Sequence, residues 1–236
     1  MTRATLAEVL QPALRNGHAV AGLVCLGWED ARAYVRAAEL ESSPVILQAG
    51  PGARAHTPLP VLGAMFRHLA DSVSVPVVLH LDHGRSAEEA QAAIAEGFTS
   101  VMFDGSDLPL ADNIRLTRDI ARIAHDNGVS CEGEIGFVGY AGGTASARTN
   151  PVDAAEFAIE TGVDAMAVSV GNLHLQQGQT SDIDERALAA IAIATRGRVP
   201  LVVHGGSGVP SDQRRLLART TPGCKCPSVA ARSMTQ

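Results

Sequence analysis

Seven short apolar runs alternate with stretches that carry apolar residues at helical spacing, and this alternation restricts the folds open to the chain. The runs are His18 to Cys25, Pro44 to Gln48, Pro76 to Leu81, Ser100 to Phe103, Val129 to Ile135, Ala165 to Val170 and Val199 to Val203. Helical patterns cover Trp28 to Glu41, Leu59 to Asp71, Ser86 to Glu96, Leu110 to Asn127, Pro151 to Thr161 and Asp184 to Thr195. The recurrence, about 25 to 35 residues, is the length of one β-plus-α unit. Continuous apolar runs bounded by turn residues read as buried parallel strands. Alternating β and α implies one parallel sheet.

A closed TIM (β/α)8 barrel and an open doubly wound sheet both satisfy that pattern. The barrel is favoured because polar residues stand at the C-terminal ends of many strands, not at one switch point. Seven units leave it incomplete at the eighth β/α unit. The expected division is a barrel domain over residues 1–221 and an aberrant C-terminal tail over 222–236. Local signals agree with the helices. Ser86 and Glu89 have the spacing of a capping box. Gly97, Gly128 and Gly162 stand where helix C-termini need a left-handed residue.

Composition narrows the function. Aromatics are 3% of the 236 residues and the net charge is −6, which excludes a stacking or basic surface for nucleic acid. No apolar stretch is long enough to span a membrane. Met1 to Glu8 has no signal-peptide apolar region and reads as the start of an amphipathic helix, so a cytoplasmic chain is expected. Cys25 and Cys131 lie in apolar segments and read as inert core thiols. Cys224 and Cys226 form a C-x-C without zinc-ribbon spacing.

Three histidines then stand out. His83 ends Val77-Val78-Leu79-His80-Leu81-Asp82-His83-Gly84. His174 ends Val168-Ser169-Val170-Gly171-Asn172-Leu173-His174, and His204 opens His204-Gly205-Gly206-Ser207-Gly208. In a barrel these strand ends converge on one mouth, together with Asp82, Asp104, Glu132 and Glu134. Such groups are costly to bury without a metal or partners. Three neutral imidazoles suit zinc with an open fourth position. Singly, each histidine has a plainer reading as a hydrogen-bonded core residue, and His18, His56, His68 and His125 are left in that class. His80 shares strand parity with Asp82 and is expected to face the lumen in a supporting role.

The motifs His80-Leu81-Asp82-His83-Gly84, Glu132-Gly133-Glu134-Ile135-Gly136, Val168 to His174 and His204 to Gly208, in this order, resemble the class II, zinc-dependent ketose-bisphosphate aldolases, the fructose- and tagatose-bisphosphate enzymes. The resemblance runs from about residue 5 to about residue 215. It implies zinc on His83, His174 and His204, with Asp82 as acid/base at the C4 hydroxyl. Asp104 and Glu134 match positions that help hold metal or water beside the zinc. Gly171, Gly205, Gly206 and Ser207 would bind substrate and phosphate, backbone N–H groups leading into the next helix. A monovalent cation, Na+ or K+, beside the phosphate is a further family trait. The partner expected is a phosphorylated sugar, with no nucleic acid and no membrane, and the assembly a homodimer or homotetramer. The reaction is reversible cleavage to dihydroxyacetone phosphate and an aldehyde. Zinc acts there as Lewis acid, whereas class I aldolases form a lysine Schiff base. The chain's one lysine, Lys225, lies in the tail.

Four segments depart from the family pattern. Ala21 to Gly27 lacks its asparagines, and Val24 and Gly27 offer no side-chain hydrogen bond. Gln48-Ala49-Gly50-Pro51-Gly52 lacks a hydroxyl. Tyr140 to Asn150 lacks a carboxylate, with Ala141 about where a proton-exchanging glutamate falls. The strand-8 motif is absent, and Cys224 to Arg232 places Pro227 where a ladder donor belongs. These departures predict unpaired edges on strands 1 and 7. They also define the alternative function, an inactive or impaired metal-binding aldolase remnant. A different phosphate-binding barrel would call for a lysine, or a glutamate base without three histidines.

Overall fold

A computed structural model describes residues 2–140, 143, 145–174, 182–220 and 225–227. Helix α1 (Leu6–Asn16) precedes strand β1 (Val20–Val24). There follow α2 (Trp28–Leu40), β2 (Val45–Ala49), α3 (Pro51–His56), α4 (Leu59–Asp71), β3 (Val77–Gly84), α5 (Ala87–Ala95), β4 (Ser100–Phe103), α6 (Leu110–Asp126) and β5 (Ser130–Ile135). The last elements are α7 (Pro151–Thr161), β6 (Ala165–Val168), α8 (Glu185–Ala194), β7 (Leu201–Val202), a 3-10 turn at Gly206–Gly208, α9 (Ser211–Thr220) and β8 (Lys225–Pro227). Neighbouring strands pair in parallel in chain order and close into a barrel.

The (β/α) barrel is therefore present, and three described residues of an eighth strand close it. The expected open edges are not found. Lys225, Cys226 and Pro227 pair with Val20, Ala21 and Gly22 of β1, and Lys225 also pairs with Val202 of β7. Part of the segment assigned to an aberrant tail thus belongs to the barrel. Pro227 is the last described residue of the strand and still takes up register opposite Gly22. Residues 222–224 and 228–236 lie outside the described residues.

Two apolar layers hold the barrel. One lies between strands and outer helices, with Leu47, Leu79, Leu62, Phe66 and Phe157 buried in it. The other fills the lower lumen. There Val20, Ile46, Val78, Met102, Ala165, Ala167 and Val202 pack against Leu6, Val9, Leu10 and Ala13 of α1. α1 carries a full capping box between Thr5 and Glu8 and seals the N-terminal end of the ring. Side chains alternate along a strand, so the residues two positions above these inward ones also point inward. Ile46 leads to Gln48, and Val78 leads to His80 and Asp82. The lumen passes from wholly apolar at α1 to titratable at the mouth.

Gly97, Gly128 and Gly162 take φ of 80°, 69° and 68°, as expected of helix ends. The capping box at α5 is half formed. Ser86 Oγ accepts from the Glu89 N–H at 3.2 Å, but the Glu89 carboxylate accepts from Arg85 N and Arg54 instead. α3 has no counterpart among the sequence patterns, because six residues are too few to show a period. His18, His56, His68 and His125 are exposed, not core residues as expected. His56, His68 and His125 lie on outer helix faces, where His125 pairs with Asp164 at 2.8 Å.

Candidate active site

β3 supplies most of the polar groups at the mouth, and it does so through a bulge. Its register with β4 shifts between Leu81 and Gly84, and His83 takes a left-handed φ of 49°. A regular strand would turn Asp82 and His83 to opposite faces. The bulge brings both to the mouth. The Asp82 carboxylate is held from the opposite wall, where Gln48 Nε2 donates to its Oδ1 at 2.6 Å. Below it, His80 Nδ1 lies 2.8 Å from Ser100 Oγ, and its Nε2 lies 3.5 Å from Glu132 Oε2.

Two imidazoles are each fixed by a buried carboxylate. His83 Nδ1 donates to Asp104 Oδ2 at 2.8 Å, and Glu134 Oε2 lies 3.6 Å from the same nitrogen. His204 Nε2 donates to Glu132 Oε1 at 3.0 Å. Each ring keeps its second nitrogen for another partner. His83 Nε2 is buried without a hydrogen-bond partner, and His204 Nδ1 lies 3.9 Å from Asp82 Oδ1. Asp104 is also held by Ser106 Oγ at 2.6 Å and by Arg85 at 3.4 Å.

The electrostatics follow from that packing. Burial alone would lower the His83 pKa, but Asp82, the Asp104 hydrogen bond and Glu134 outweigh it and raise it to about 9. Burial raises the Glu134 carboxyl to about 8 against the pull of His83. Burial would likewise raise Asp104, yet His83, Ser106 and Arg85 hold it well below the usual carboxylate range. Burial, then His204 and His83, lower His174 to about 3. Burial, then His83, lower His204 as well. At neutral pH the last two are neutral imidazoles set among carboxylates, a donor set that favours a cation.

His174 stands slightly apart. Its ring centroid is 5.0 Å from that of His83 and 5.8 Å from that of His204, and Tyr140 stacks on it at 5.0 Å. Its backbone N–H donates to Gly139 O at 2.9 Å. Asn172 braces the loop by donating to His204 O at 3.0 Å while accepting from Val170 N. Two sets of three residues bring ligand atoms within 4.8 Å of one another: Asp82, His83 and His204, and His83, Asp104 and Glu134. His174 adjoins the first set without entering it.

Gly171 and Gly205 have φ of 106° and 69°. A Cβ at Gly171 would collide with the Asp182 carbonyl, and one at Gly205 with the Leu173 carbonyl. Gly205, Gly206 and Ser207 lead through the 3-10 turn into α9, and Ser207 is exposed. Arg214 of α9 donates to Gly206 O at 3.2 Å. Val24, at the end of β1, is 42% exposed and presents an apolar side chain at the mouth. Ala141 lies outside the described residues.

The residues present fit a divalent cation. Paired carboxylates orient two imidazoles, leaving a buried ring nitrogen on His83 and a buried oxygen, Glu134 Oε2, without hydrogen bonds. A carboxylate that accepts from the far nitrogen of a ligating histidine and fixes its ring is the usual support of such sites. No helix among the described residues is long and apolar enough to cross a membrane. Sequence reasoning missed Gln48, Arg54, Asn172 and Arg214. Arg54 bonds three carbonyls at the β2 and β3 ends. All four act through polar bonds that leave no periodic signal.

A parallel barrel with an imidazole–carboxylate cluster at its C-terminal mouth is the architecture of a barrel enzyme with a cation-favouring site. The sequence pattern described as fructose-bisphosphate aldolase class II matches residues 4–221. A fructose-bisphosphate aldolase of Streptococcus pyogenes serotype M3 is 37% identical over 216 residues, covering 87% of this chain and 72% of the relative. A 6-phospho-5-dehydro-2-deoxy-D-gluconate aldolase of Shouchella clausii is also 37% identical, with 88% and 72% covered. The crystal structure of the YdjI aldolase from Escherichia coli K12 superposes with a TM-score of 0.84 at 30% identity, covering 94% of this chain and 80% of that one. The chain belongs to the class II fructose-bisphosphate aldolase family, and is a carbon–carbon lyase of the aldolase type.

Proposed function

We propose that this chain is a zinc-dependent aldolase. It reversibly cleaves a phosphorylated ketose, of the fructose or tagatose bisphosphate type, into dihydroxyacetone phosphate and an aldehyde. The observation that carries the reading is the set Asp82, His83 and His204, whose ligand atoms lie within 4.8 Å of one another. Within it Asp82 is aimed by Gln48. His83, His174 and His204 would hold the zinc, with Asp104 and Glu134 beside it. Zinc bound there supplies Lewis-acid stabilisation of the charge that develops on the ketone oxygen.

Asp82 moves the proton. Its carboxylate accepts the C4 hydroxyl proton as the C3–C4 bond breaks, leaving the electron pair on the ketone half and a carbonyl on the departing aldehyde. In condensation it returns that proton. Gln48 holds the carboxylate against the β2 wall, so the freely rotating rotamers are excluded before substrate arrives. Backbone N–H groups of Gly205, Gly206 and Ser207, with Gly171 opposite, would bind the phosphate. Na+ or K+ beside that phosphate, a cytoplasmic location, a glycolytic role and a homodimer or homotetramer belong to the same proposal.

The test is metal analysis of purified protein with a coupled cleavage assay on fructose and tagatose bisphosphates. About one zinc with turnover supports the reading. Zinc with no turnover on any phosphorylated ketose favours the alternative, an impaired metal-binding remnant, which the carboxylate-free segment Tyr140 to Asn150 motivates.

A further inference from the structure

Asp82 and His83 lie outside the regular ladder. The β2–β3 register ends at Ala49↔Leu81, and the β3–β4 register jumps from Leu81 to Gly84. Both residues fall in that register gap. Backbone carbonyls buried there need hydrogen-bond donors, and one side chain donates to both. Arg54, on α3, has a side chain only 10% exposed. Its Nη1 donates to Ala49 O and Asp82 O, each at 2.5 Å, and its Nη2 donates to His83 O at 3.2 Å. Its Nε donates to Glu89 Oε1 at 2.9 Å. Glu89 sits on α5 and also accepts from Arg85 N at 2.9 Å, so it anchors the guanidinium to the chain just beyond the bulge.

We propose that Arg54 is a positioning residue for the acid/base and metal-ligating pair Asp82–His83. It fastens three carbonyls of the β2 and β3 ends into one fork and so fixes the bulge that turns both side chains into the mouth. The proposal rests on the reading of Asp82 and His83 given under Proposed function. Only a planar fork of N–H donors can reach three carbonyls and a carboxylate at once. An ammonium is a compact point charge with three donors and cannot reproduce the geometry. His83 is held at a left-handed φ, costly for a non-glycine residue, and it relaxes if its carbonyl is released. Its ring would then swing from Asp104 and the metal-facing nitrogen would move.

The experiment uses Arg54→Lys and Arg54→Ala in the full chain, with Arg118→Lys, an exposed partner of Glu160 on the outer helices, as control. Cobalt(II) is titrated into metal-free protein, and its visible absorption gives affinity and ligand geometry. kcat and KM are read separately. Arg54→Lys should bind cobalt about ten-fold more weakly or worse, with an altered spectrum, as expected when a supporting residue of a metal site is lost. kcat should fall while KM stays within about two- to three-fold, because only transition-state alignment is lost. Guanidinium ion at low millimolar concentration should partly restore cobalt affinity and kcat in Arg54→Ala and do nothing for the control. A wild-type cobalt spectrum, affinity and kcat in Arg54→Lys would overturn the proposal, as would losses that only track the unfolded fraction. If the Arg54 variants do not fold, Glu89→Gln decides, since it loosens the guanidinium without removing it. An unchanged cobalt spectrum and kcat there also overturn it. Failure of wild type itself to bind cobalt would instead sink the reading of His83 as a ligand.

Discussion

Glu132 Oε1 accepts from His204 Nε2 at 3.0 Å, and this single bond decides which face of the His204 ring is offered to the mouth. Glu132 reaches His80 with its other oxygen at 3.5 Å, and His80 is in turn within 2.8 Å of Ser100. The chain His204–Glu132–His80–Ser100 crosses the lumen beneath the site and locks the ring from behind. Glu132→Gln keeps the shape but weakens the hold. Zinc affinity should fall about ten-fold or more, measured by competition with a chromophoric chelator. Affinity equal to wild type would show that His204 is oriented by packing alone.

Metal uptake should release protons at neutral pH. His174 and His204 are already neutral there, whereas His83 is raised to about 9 and Glu134 to about 8 by the buried cluster. A cation displaces what those groups hold. Calorimetric titration at pH 7 in two buffers of different ionisation enthalpy should report about two protons released per zinc if both groups give theirs up, and affinity should weaken steadily as pH falls below about 9. Zinc binding that is pH-independent between 7 and 9 would refute this. Alanine at His83, His174 or His204 should cost the metal, and full retention in all three would remove the three-histidine assignment.

Metal-free protein should be less stable at high pH. The folded His83 pKa lies above its ordinary ~6.5, so its stabilising contribution is full below that pH and is lost as pH rises through about 9. Glu134, raised to about 8, resists ionisation in the fold, so its cost begins above ~4.3 and is complete above about 8. Both run the same way, whereas the lowered His174 and His204 oppose them only below ~6.5. Melting temperature without metal should therefore fall between pH ~7 and ~9, and saturating zinc should flatten the slope. A metal-free melting temperature that rises over this range would contradict it.

Asp82→Ala should retain zinc and lose turnover by at least ~100-fold, the usual scale of general acid–base catalysis. Gln48→Leu should cost less, because it frees the carboxylate without removing it. Comparable losses in the two variants would mean that orientation, and not proton transfer, is the main role of Asp82. The carboxylate-free segment gives a companion test. Ala141→Glu should raise proton exchange on the ketone half if a base is missing there, and no gain in folded, metallated protein means another group serves.

Removal of residues 225–227 should destabilise the barrel. These three residues pair with both β1 and β7, and without them both edges open. A loss of a few kcal/mol corresponds to a drop of roughly 5 °C or more for a chain this size. An unchanged melting temperature and solubility would show that the closing strand contributes nothing in solution.

Most of the fold was legible because burial writes itself into period. The seven strand runs and six helical stretches keep their places, within a residue or two at the ends except β3, which runs three residues past Leu81 to Gly84. Four histidines were misplaced in the core because a lone imidazole in sequence carries no sign of which helix face it occupies. The closing strand was misjudged from Pro227, which nonetheless takes up register opposite Gly22 of β1. At the mouth, the titratable residues were identifiable from type and strand end. The bulge was not, since strict alternation sends Asp82 and His83 to opposite faces and only a left-handed φ at His83 reconciles them. Arg54 was invisible for a related reason: it bonds to main-chain oxygens, which every residue has.

α1 gives the barrel a floor. With Leu6, Val9, Leu10 and Ala13 packed against the lower lumen residues, the titratable groups above meet apolar packing on one side and solvent on the other. Their charges are therefore screened from the rim alone, and any ion drawn to them is drawn from that side.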